Sequence, residues 1–246
     1  MYAFLDPILL PFLHISPLIS IIILSFLISL FITIVYKYVT DQNLMKQLKD
    51  EMNTLQTEMK TLRDNPQKAL SVQKQVMETN MKYMMQSLKP TILTLLPLII
   101  IFGWLSAHYA YEPIKPGQEF AILLHGEIDG NNATLYPPLG ITLLDEPTKK
   151  ITANKARWGL KAEAGNHIIT IGIGNTTFHK KILVTTDRSY EPVSTPINAD
   201  GIQRIDTEQS ELKLLNIFGW EIGWLGTYIL FSILFSMILR KVLKVY

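Results

Sequence analysis

Three long runs of apolar residues divide the chain, and each has the length of a membrane-spanning helix. The runs cover 17–35, 92–110 and 222–239. About 20 helical residues are needed to cross a hydrocarbon core of about 30 Å. The first run opens on Ser16 and Pro17, which supply a capping hydroxyl and a proline at the first helical position. The pattern predicts three transmembrane helices.

Between the first two runs, apolar residues recur in alternating steps of three and four, the spacing of a coiled-coil seam. In the first half the seam positions are Met45, Leu48, Met52, Leu55, Met59 and Leu62. Asn65 and Pro66 then make a turn. In the second half the apolar side consists of Leu70, Met77, Met81, Met84 and Leu88. The pattern predicts an antiparallel helical hairpin that stands on the first two spans.

Methionine is concentrated where the second hairpin helix approaches the second apolar run, at Met77, Met81, Met84 and Met85. Flexible, polarizable side chains fill irregular gaps in a packed seam, and they also suit a surface that accepts many different apolar segments. Both interpretations stay open from the sequence. The second makes these four methionines the candidate residues for contact with client proteins.

A different pattern begins after the second run, where short alternating stretches rich in β-branched residues are separated by Gly, Asn, Asp or Pro. These stretches occupy 118–186 and predict a small all-β sandwich of six or seven strands, similar to immunoglobulin-like domains. The segment 207–218 is expected to be a helix that leads into the third span. Asn132 and Asn175 open glycosylation triplets. Three histidines, at 125, 167 and 179, lack the spacing of metal ligands, so no metal site is expected.

The fold class expected from these patterns is a membrane α-helical protein with a small all-β domain inserted between spans two and three. The predicted segments, in chain order, are an outer N-terminus 1–16, span one 17–37, the hairpin 38–90, span two 91–110, the β-sandwich 111–206, a linker helix 207–221, span three 222–240 and a tail 241–246.

Charge predicts the orientation. The net charge is only +2 and the chain has no cysteine, so the composition gives no indication of nucleic-acid binding, disulfides or thiol chemistry. Nine Lys or Arg residues lie in 37–89, and none lies in the first 16 residues. The positive-inside rule then places the hairpin and the C-terminus in the cytoplasm and the N-terminus and β domain outside. Five aromatic residues are expected at the outer interface: Trp104, Tyr109, Phe218, Trp220 and Trp224.

Polar residues form lines along the predicted spans. Steps of three or four keep residues on one helix face, and such steps connect Ser25, Ser29, Thr33, Tyr36 and Thr40 in span one. Span three repeats the pattern at Tyr228, Ser232, Ser236 and Arg240, and span two begins with Thr91 and Thr94. Hydroxyls in membrane helices often bond back to their own backbone or join helices. All of these residues except Thr40 are nevertheless candidates to line a groove, because all three spans place them near the inner leaflet.

Two stretches resemble a known family. They read DNPQKALSVQKQVMETNMKYMMQSLKPTILTLLPLIIIFGWL (64–105) and GWLGTYILFSILFSMILRKVL (223–243). Both are similar to the archaeal YidC-like membrane proteins of the Oxa/YidC/Alb insertase superfamily, which also contains the insertase subunit of the eukaryotic ER membrane complex. The resemblance implies an outer N-terminus, a cytoplasmic coiled-coil hairpin and a hydrophilic groove open to the cytosol and the lipid. The long stretch 111–221 departs from the short connection expected in compact relatives.

The expected function is that of a membrane protein insertase or chaperone in the cell membrane, without enzymatic activity and without a cofactor. Its expected partners are nascent membrane proteins, the ribosome, the lipid bilayer and small membrane subunits, with no sequence-specific nucleic acid. An alternative is a membrane-anchored structural or adhesive protein that presents the β-sandwich. The groove positions would tolerate leucine in that alternative.

Overall fold

A computed structural model describes residues 5–62 and 65–245 as two compact units, Met1–Gly103 with Leu225–Tyr246, and Trp104–Trp224. The first unit is helical. Its helices are α1 (Asp6–Leu9), a 3-10 turn (Leu10–His14), α2 (Pro17–Val39), α3 (Gln42–Thr61), α4 (Pro66–Tyr109) and α5 (Trp224–Leu243). By length and composition, α2, α4 and α5 can each cross a membrane. Residues 1–4, 63–64 and 246, which include part of the predicted N-terminus, hairpin turn and tail, lie outside the described residues.

Helix α4 joins the second hairpin helix and the second span into one continuous helix of 44 residues. At 1.5 Å per residue it is about 66 Å long. Pro90 and Pro97 lie inside it. The predicted hairpin segment and the predicted second span, which meet between residues 90 and 91, therefore lie on one helix. Each proline removes a single backbone hydrogen bond, and the remaining bonds of so long a helix hold it together.

Helices α3 and α4 contact each other in antiparallel register. Thr79 Oγ1 donates a hydrogen bond to Glu51 Oε1 at 3.1 Å, and Lys68 Nζ lies 3.8 Å from Glu58 Oε1. Contacts further along α3 thus fall earlier along α4, as two helices running in opposite directions require. Asp41 caps α3, since its carboxylate accepts hydrogen bonds from two backbone N–H groups of the first turn at 3.0 Å.

Burial matches three of the predicted seam positions of α3 and none of the five apolar positions predicted on the hairpin part of α4. Three predicted α3 positions are buried, Met45, Leu48 and Leu55, whereas Met59 is exposed. In the hairpin part of α4, residues 66–89, the buried positions are Val72 and Thr79. All five predicted α4 seam residues are exposed instead: Leu70, Met77, Met81, Met84 and Leu88. The physical reason is that α4 carries apolar residues on more than one side, so their spacing did not identify the side that faces α3.

The second unit contains eleven strands. They are β1 (Glu119–Gly126), β2 (Asn132–Tyr136), β3 (Ile141–Leu143), β4 (Thr148–Lys150), β5 (Lys155–Ala162), β6 (Gly165–Ile173), β7 (Thr176–Val184), β8 (Ser194–Ala199), β9 (Ile202–Glu208), β10 (Lys213–Ile217) and β11 (Trp220–Gly223). One sheet has the order β3-β5-β1-β9-β8 and the other β4-β2-β6-β7, while β10 and β11 form a separate hairpin. Side chains from both larger sheets share one apolar core, which makes the region sandwich-like.

A buried lysine connects the two sheets of the sandwich. Lys180 lies on β7 with 1% of its surface exposed. Its ammonium donates hydrogen bonds to the carbonyl of Pro192, to the carbonyl of Val193 at 3.0 Å and to Thr195 Oγ1 at 2.9 Å. Burial lowers the pKa of Lys180 to about 8. Because Thr195 belongs to β8 of the other sheet, this one side chain holds the first residues of β8 against β7.

Two sequence expectations in this unit are corrected. The predicted helix over 207–218 is instead the end of β9 followed by the β10–β11 hairpin. Phe218 and Gly219 have φ values of 52° and 89°, so the chain reverses there and no helix can continue. The sandwich also extends past residue 186, because β8 and β9 complete the five-stranded sheet.

The last turn of α4 belongs to the β unit and is hydrogen-bonded to Tyr190 of that unit. Trp104 and Tyr109, expected at the membrane interface, are fully buried. The hydroxyl of Tyr190 donates to the carbonyl of Ser106 and accepts a hydrogen bond from the N–H of Ala110 at 3.0 Å. These bonds satisfy backbone groups that a helix end leaves without partners. The interface prediction fails for the two aromatics because protein, not lipid, surrounds that turn.

Candidate functional site

A polar groove runs between α2 and α5, the first and third helices of membrane length. It has a volume of about 410 Å³. Four hydroxyl groups and one guanidinium line it, together with three apolar side chains. The lining residues are Ser29, Ile32, Tyr228, Ser232, Ile233, Ser236, Met237 and Arg240. All four predicted positions of span three and one of span one therefore lie at the same cavity.

Hydrogen bonds join the two walls of the groove. Ser29 Oγ on α2 donates to the carbonyl of Ser232 on α5 at 3.4 Å, a long hydrogen bond between the two helices. Ser232 Oγ donates to the carbonyl of Ile229 at 3.0 Å, and the Tyr228 side chain hydrogen-bonds with Ser232. The ring of Tyr228 also meets Phe102 of α4 edge-on, with centroids 4.9 Å apart. The part of the groove around Tyr228 and Ser232 is therefore built from contacts among α2, α4 and α5.

Arg240 closes the groove at its C-terminal end. Its guanidinium carbon lies 4.9 Å from the centre of the Tyr36 ring, which is within the range of a cation–π contact. Tyr36 in turn is buried against Met45 at the start of α3 and Val245 near the chain end. The positive charge is therefore held over an aromatic ring at the point where α2, α3 and the C-terminal segment meet.

Several predicted groove residues lie elsewhere. Ser25 and Thr33 are buried, and each hydroxyl donates to a carbonyl one turn back, at 2.6 Å and 2.7 Å. Thr94 is buried and donates to the Pro90 carbonyl at 2.9 Å. Thr91 is exposed and donates to its own helix at 2.8 Å. In each case the helix backbone satisfies the hydroxyl, so these four residues do not line the cavity, and Tyr36 lies beneath Arg240 rather than on the wall.

The groove also contains apolar residues that the polar pattern did not identify, namely Ile32, Ile233 and Met237. The sequence could have identified two of them by spacing. Ile233 and Met237 are four residues apart, and each directly follows a predicted groove serine. A groove to which both helices contribute hydroxyls and aliphatic carbon can receive a chain that has both polar and apolar surface.

The methionines proposed for client contact all lie on the surface of α4. Met77, Met81, Met84 and Met85 are exposed. The exposed apolar surface continues along the same helix through Ile92, Leu93, Leu95, Leu96 and Ile99. An apolar patch of this extent on a soluble surface marks a binding or membrane-contacting face.

The histidines and the glycosylation triplets of the β unit are the remaining candidates from the sequence. Among the described residues, no group of three or more metal-ligating side chains comes together. His125 Nε2 lies 3.0 Å from Asp206 Oδ2, and burial lowers the pKa of this histidine despite the carboxylate. The other two β-domain histidines also have polar neighbours, a backbone carbonyl and a threonine hydroxyl. Asn132 and Asn175 are both exposed, one at the start of β2 and the other in a turn.

Three apolar helices of membrane-spanning length define the class of this protein, which is a multi-pass membrane protein. A sequence model described as integral membrane protein EMC3/TMCO1-like matches residues 2–138, more than half of the chain. The chain belongs to this family, part of the Oxa1/YidC/Alb3-related insertase superfamily. No curated protein and no solved structure matches the chain. The superfamily expected from the sequence is confirmed.

Proposed function

We propose that the protein is a membrane protein insertase that eases client transmembrane segments and their short polar flanks into the bilayer through the groove. The observation that carries the proposal is the cavity between α2 and α5, lined by Ser29, Tyr228, Ser232, Ser236 and Arg240. Membership of the EMC3/TMCO1-like family supports an insertase-related role. The groove opens to the cytosol in this proposal, and the hairpin stands in the cytoplasm.

The physical problem for a client is its polar flank. Each backbone group without a hydrogen-bond partner in hydrocarbon costs several kcal/mol. The hydroxyls of Ser29 on α2 and of Ser232 and Ser236 on α5 offer replacement partners. The aliphatic side chains of Ile233 and Met237 accept apolar carbon. Arg240 supplies a positive charge that favours acidic flanks. The groove thus lowers the barrier without a covalent step, so we propose neither enzymatic activity nor a cofactor.

The exposed methionines of α4 suit the step before entry. In the proposal, α3 and α4 form a cytoplasmic coiled coil, and Met77, Met81, Met84 and Met85 hold the apolar segment of a client before it reaches the groove. These side chains are exposed and flexible, and they continue into the apolar surface of the span. Contact with nascent chains at the ribosome follows from this placement, and the family suggests partner subunits within a membrane complex.

We place the chain with the archaeal YidC-like members of the superfamily, with the β unit as an external, immunoglobulin-like insertion between the second and third spans. The N-terminus and the β unit then lie outside the cell membrane and the C-terminus in the cytoplasm. The charge distribution supports this orientation, because nine Lys or Arg residues lie in 37–89. Asn132 and Asn175 are proposed as glycosylation sites on that outer side.

The experiment is insertion of a short-tailed client into proteoliposomes that contain the purified protein. The double variant Ser29→Leu, Ser232→Leu removes both hydroxyls where the two walls meet. Loss of about 1 kcal/mol of stabilisation for the crossing flank is expected to lower the insertion rate about fivefold. The matched control is Thr91→Leu, the same kind of change at an exposed position outside the groove. Circular dichroism and thermal unfolding check that all variants fold.

Equal insertion by the double variant and the control would contradict the proposal. A folded double variant with full activity would mean that insertion does not need these hydroxyls, whereas no insertion above empty liposomes by the wild-type protein would favour the alternative, a membrane-anchored structural or adhesive protein. Site-specific crosslinking of a stalled nascent chain to position 236 provides an independent check, because only a client that enters the groove can reach that position.

A further inference from the structure

The β-hairpin directly before α5 has one apolar face. Ile217 pairs with Trp220 and Leu215 pairs with Ile222. Directly opposite residues of an antiparallel pair lie on the same face, and so do residues two apart on one strand. These four side chains therefore share one face of the hairpin. The pair between them, an amide and a carboxylate, belongs to the opposite face.

The apolar side chains nearest the tip are uncovered by the rest of the described chain. Trp220 is 76% exposed and Phe218 is 105% exposed. In the described structure β10 and β11 pair with each other and with no further strand. A two-stranded hairpin by itself has little stability in water, and it needs a partner for its apolar face.

The turn itself gives no reason for an aromatic residue. Phe218 and Gly219 form a two-residue loop with φ values of 52° and 89°, and the first position of such a loop favours Asn, Asp or Gly. A bulky residue with positive φ is strained there. Because Phe218 gains neither a good turn conformation nor packing within the chain, its side chain is better explained by a contact outside the protein.

We propose that this hairpin lies on the bilayer, with Ile217, Phe218 and Trp220 inserted into the lipid interface. The bilayer is the occupant because the hairpin is continuous with a membrane helix: β11 ends at Gly223 and α5 begins at Trp224. Four strand residues reach only about 13 Å at about 3.3 Å per residue, so the tip cannot lie far from the membrane surface. Tryptophan prefers that interface.

The polar face is consistent with this placement. Asn216 and Glu221 form its paired positions, and both are exposed. Lys213, at the other end of the hairpin, forms an ion pair with Glu211. A hairpin with aromatic and aliphatic side chains on one face and charged or amide groups on the other can lie flat at the boundary between lipid and water.

The absence of cysteine in the chain allows single labels without background reactivity. Phe218→Cys and Trp220→Cys are each labelled with a fluorophore in full-length protein in phosphatidylcholine nanodiscs. Spin-labelled lipid and a water-soluble nickel chelate then serve as competing quenchers. The controls are Glu221→Cys, on the opposite face of the same strand, and Leu139→Cys, in a loop where the native side chain is 98% exposed.

We expect lipid quenching at positions 218 and 220 to exceed that at both controls at least threefold, with the reverse order for the nickel chelate. Access of the chelate to 218 and 220 equal to that at 139 would overturn the proposal. Protection from both quenchers would also overturn it, because it would place the tip against protein. Hydrogen exchange over 213–223 checks that the hairpin stays folded in the labelled variants. The variant Phe218→Asn, which carries a residue that the turn favours, serves as the reference for a folded hairpin. None of these readings depends on insertion activity.

Discussion

Replacing Lys180 by methionine tests the account of the β sandwich. The ammonium donates to two backbone carbonyls and to Thr195, with two of these bonds measuring 3.0 Å and 2.9 Å. Methionine keeps most of the apolar stem but no donor, so three acceptors lose the ammonium, although the Val193 carbonyl keeps the hydrogen bond from the Thr207 N–H at 2.8 Å. Each buried polar group left unpaired costs about 1–3 kcal/mol, and removal of a desolvated charge offsets part of this. The net loss expected for Lys180→Met is about 2 kcal/mol.

The assay is hydrogen exchange of the full-length protein in nanodiscs, read by mass spectrometry over the segment 190–199. A loss of about 2 kcal/mol corresponds to exchange roughly 30-fold faster in this segment. Lys181→Met is the matched control, because it makes the same chemical change at an exposed neighbouring position. An increase below about threefold for Lys180→Met, or an equal increase for Lys181→Met, would refute the assignment of Lys180 as the connection between the sheets.

Three further predictions follow from single contacts. Tyr190→Phe removes the hydroxyl that bridges Ser106 and Ala110, and exchange at residues 106–112 is expected to quicken about fivefold for a loss of about 1 kcal/mol. Burial lowers the folded-state pKa of Lys180 to about 8 from 10.5. Between these pH values the unfolded chain binds more protons, so stability rises with pH in wild type and not in Lys180→Met, as thermal unfolding at pH 7.5 and 10 would show. Arg240→Gln removes the charge at the groove end, and insertion of clients with acidic flanks is expected to fall more than that of neutral ones; equal losses would contradict the electrostatic role.

The lines of hydroxyl residues along the spans show what residue spacing alone can and cannot predict about the groove. Ser25, Ser29 and Thr33 follow one another in steps of four along α2, and sequence treats them alike. In the structure only Ser29 reaches the cavity, whereas Ser25 and Thr33 donate to carbonyls of their own helix. A step of four turns the helix by about 400°, so the line drifts around the axis and crosses from one environment to another. Which residue faces the groove depends on where α5 packs.

The β10–β11 hairpin shows the same limit for secondary structure. The segment over 207–218 contains apolar residues whose spacing fits a helix face or a strand over so short a length. In the structure, the left-handed turn at Phe218 and the pairing of β10 with β11 show that the end of this segment is a strand and not a helix. Phe218 is a poor signal for such a turn, since an asparagine is the usual residue before the glycine.

The sequence by itself determined the three membrane-length helices, the β character of the inserted unit and the membership of the insertase superfamily. Helix length and apolar content are local quantities, and the requirement to satisfy every backbone group in lipid makes them nearly sufficient. Tertiary structure alone decided which hydroxyls line the cavity, which side of α4 faces α3, and that Trp104 and Tyr109 are enclosed by protein. These outcomes depend on which neighbour covers each face, and a pattern along one chain specifies a face without specifying what lies against it.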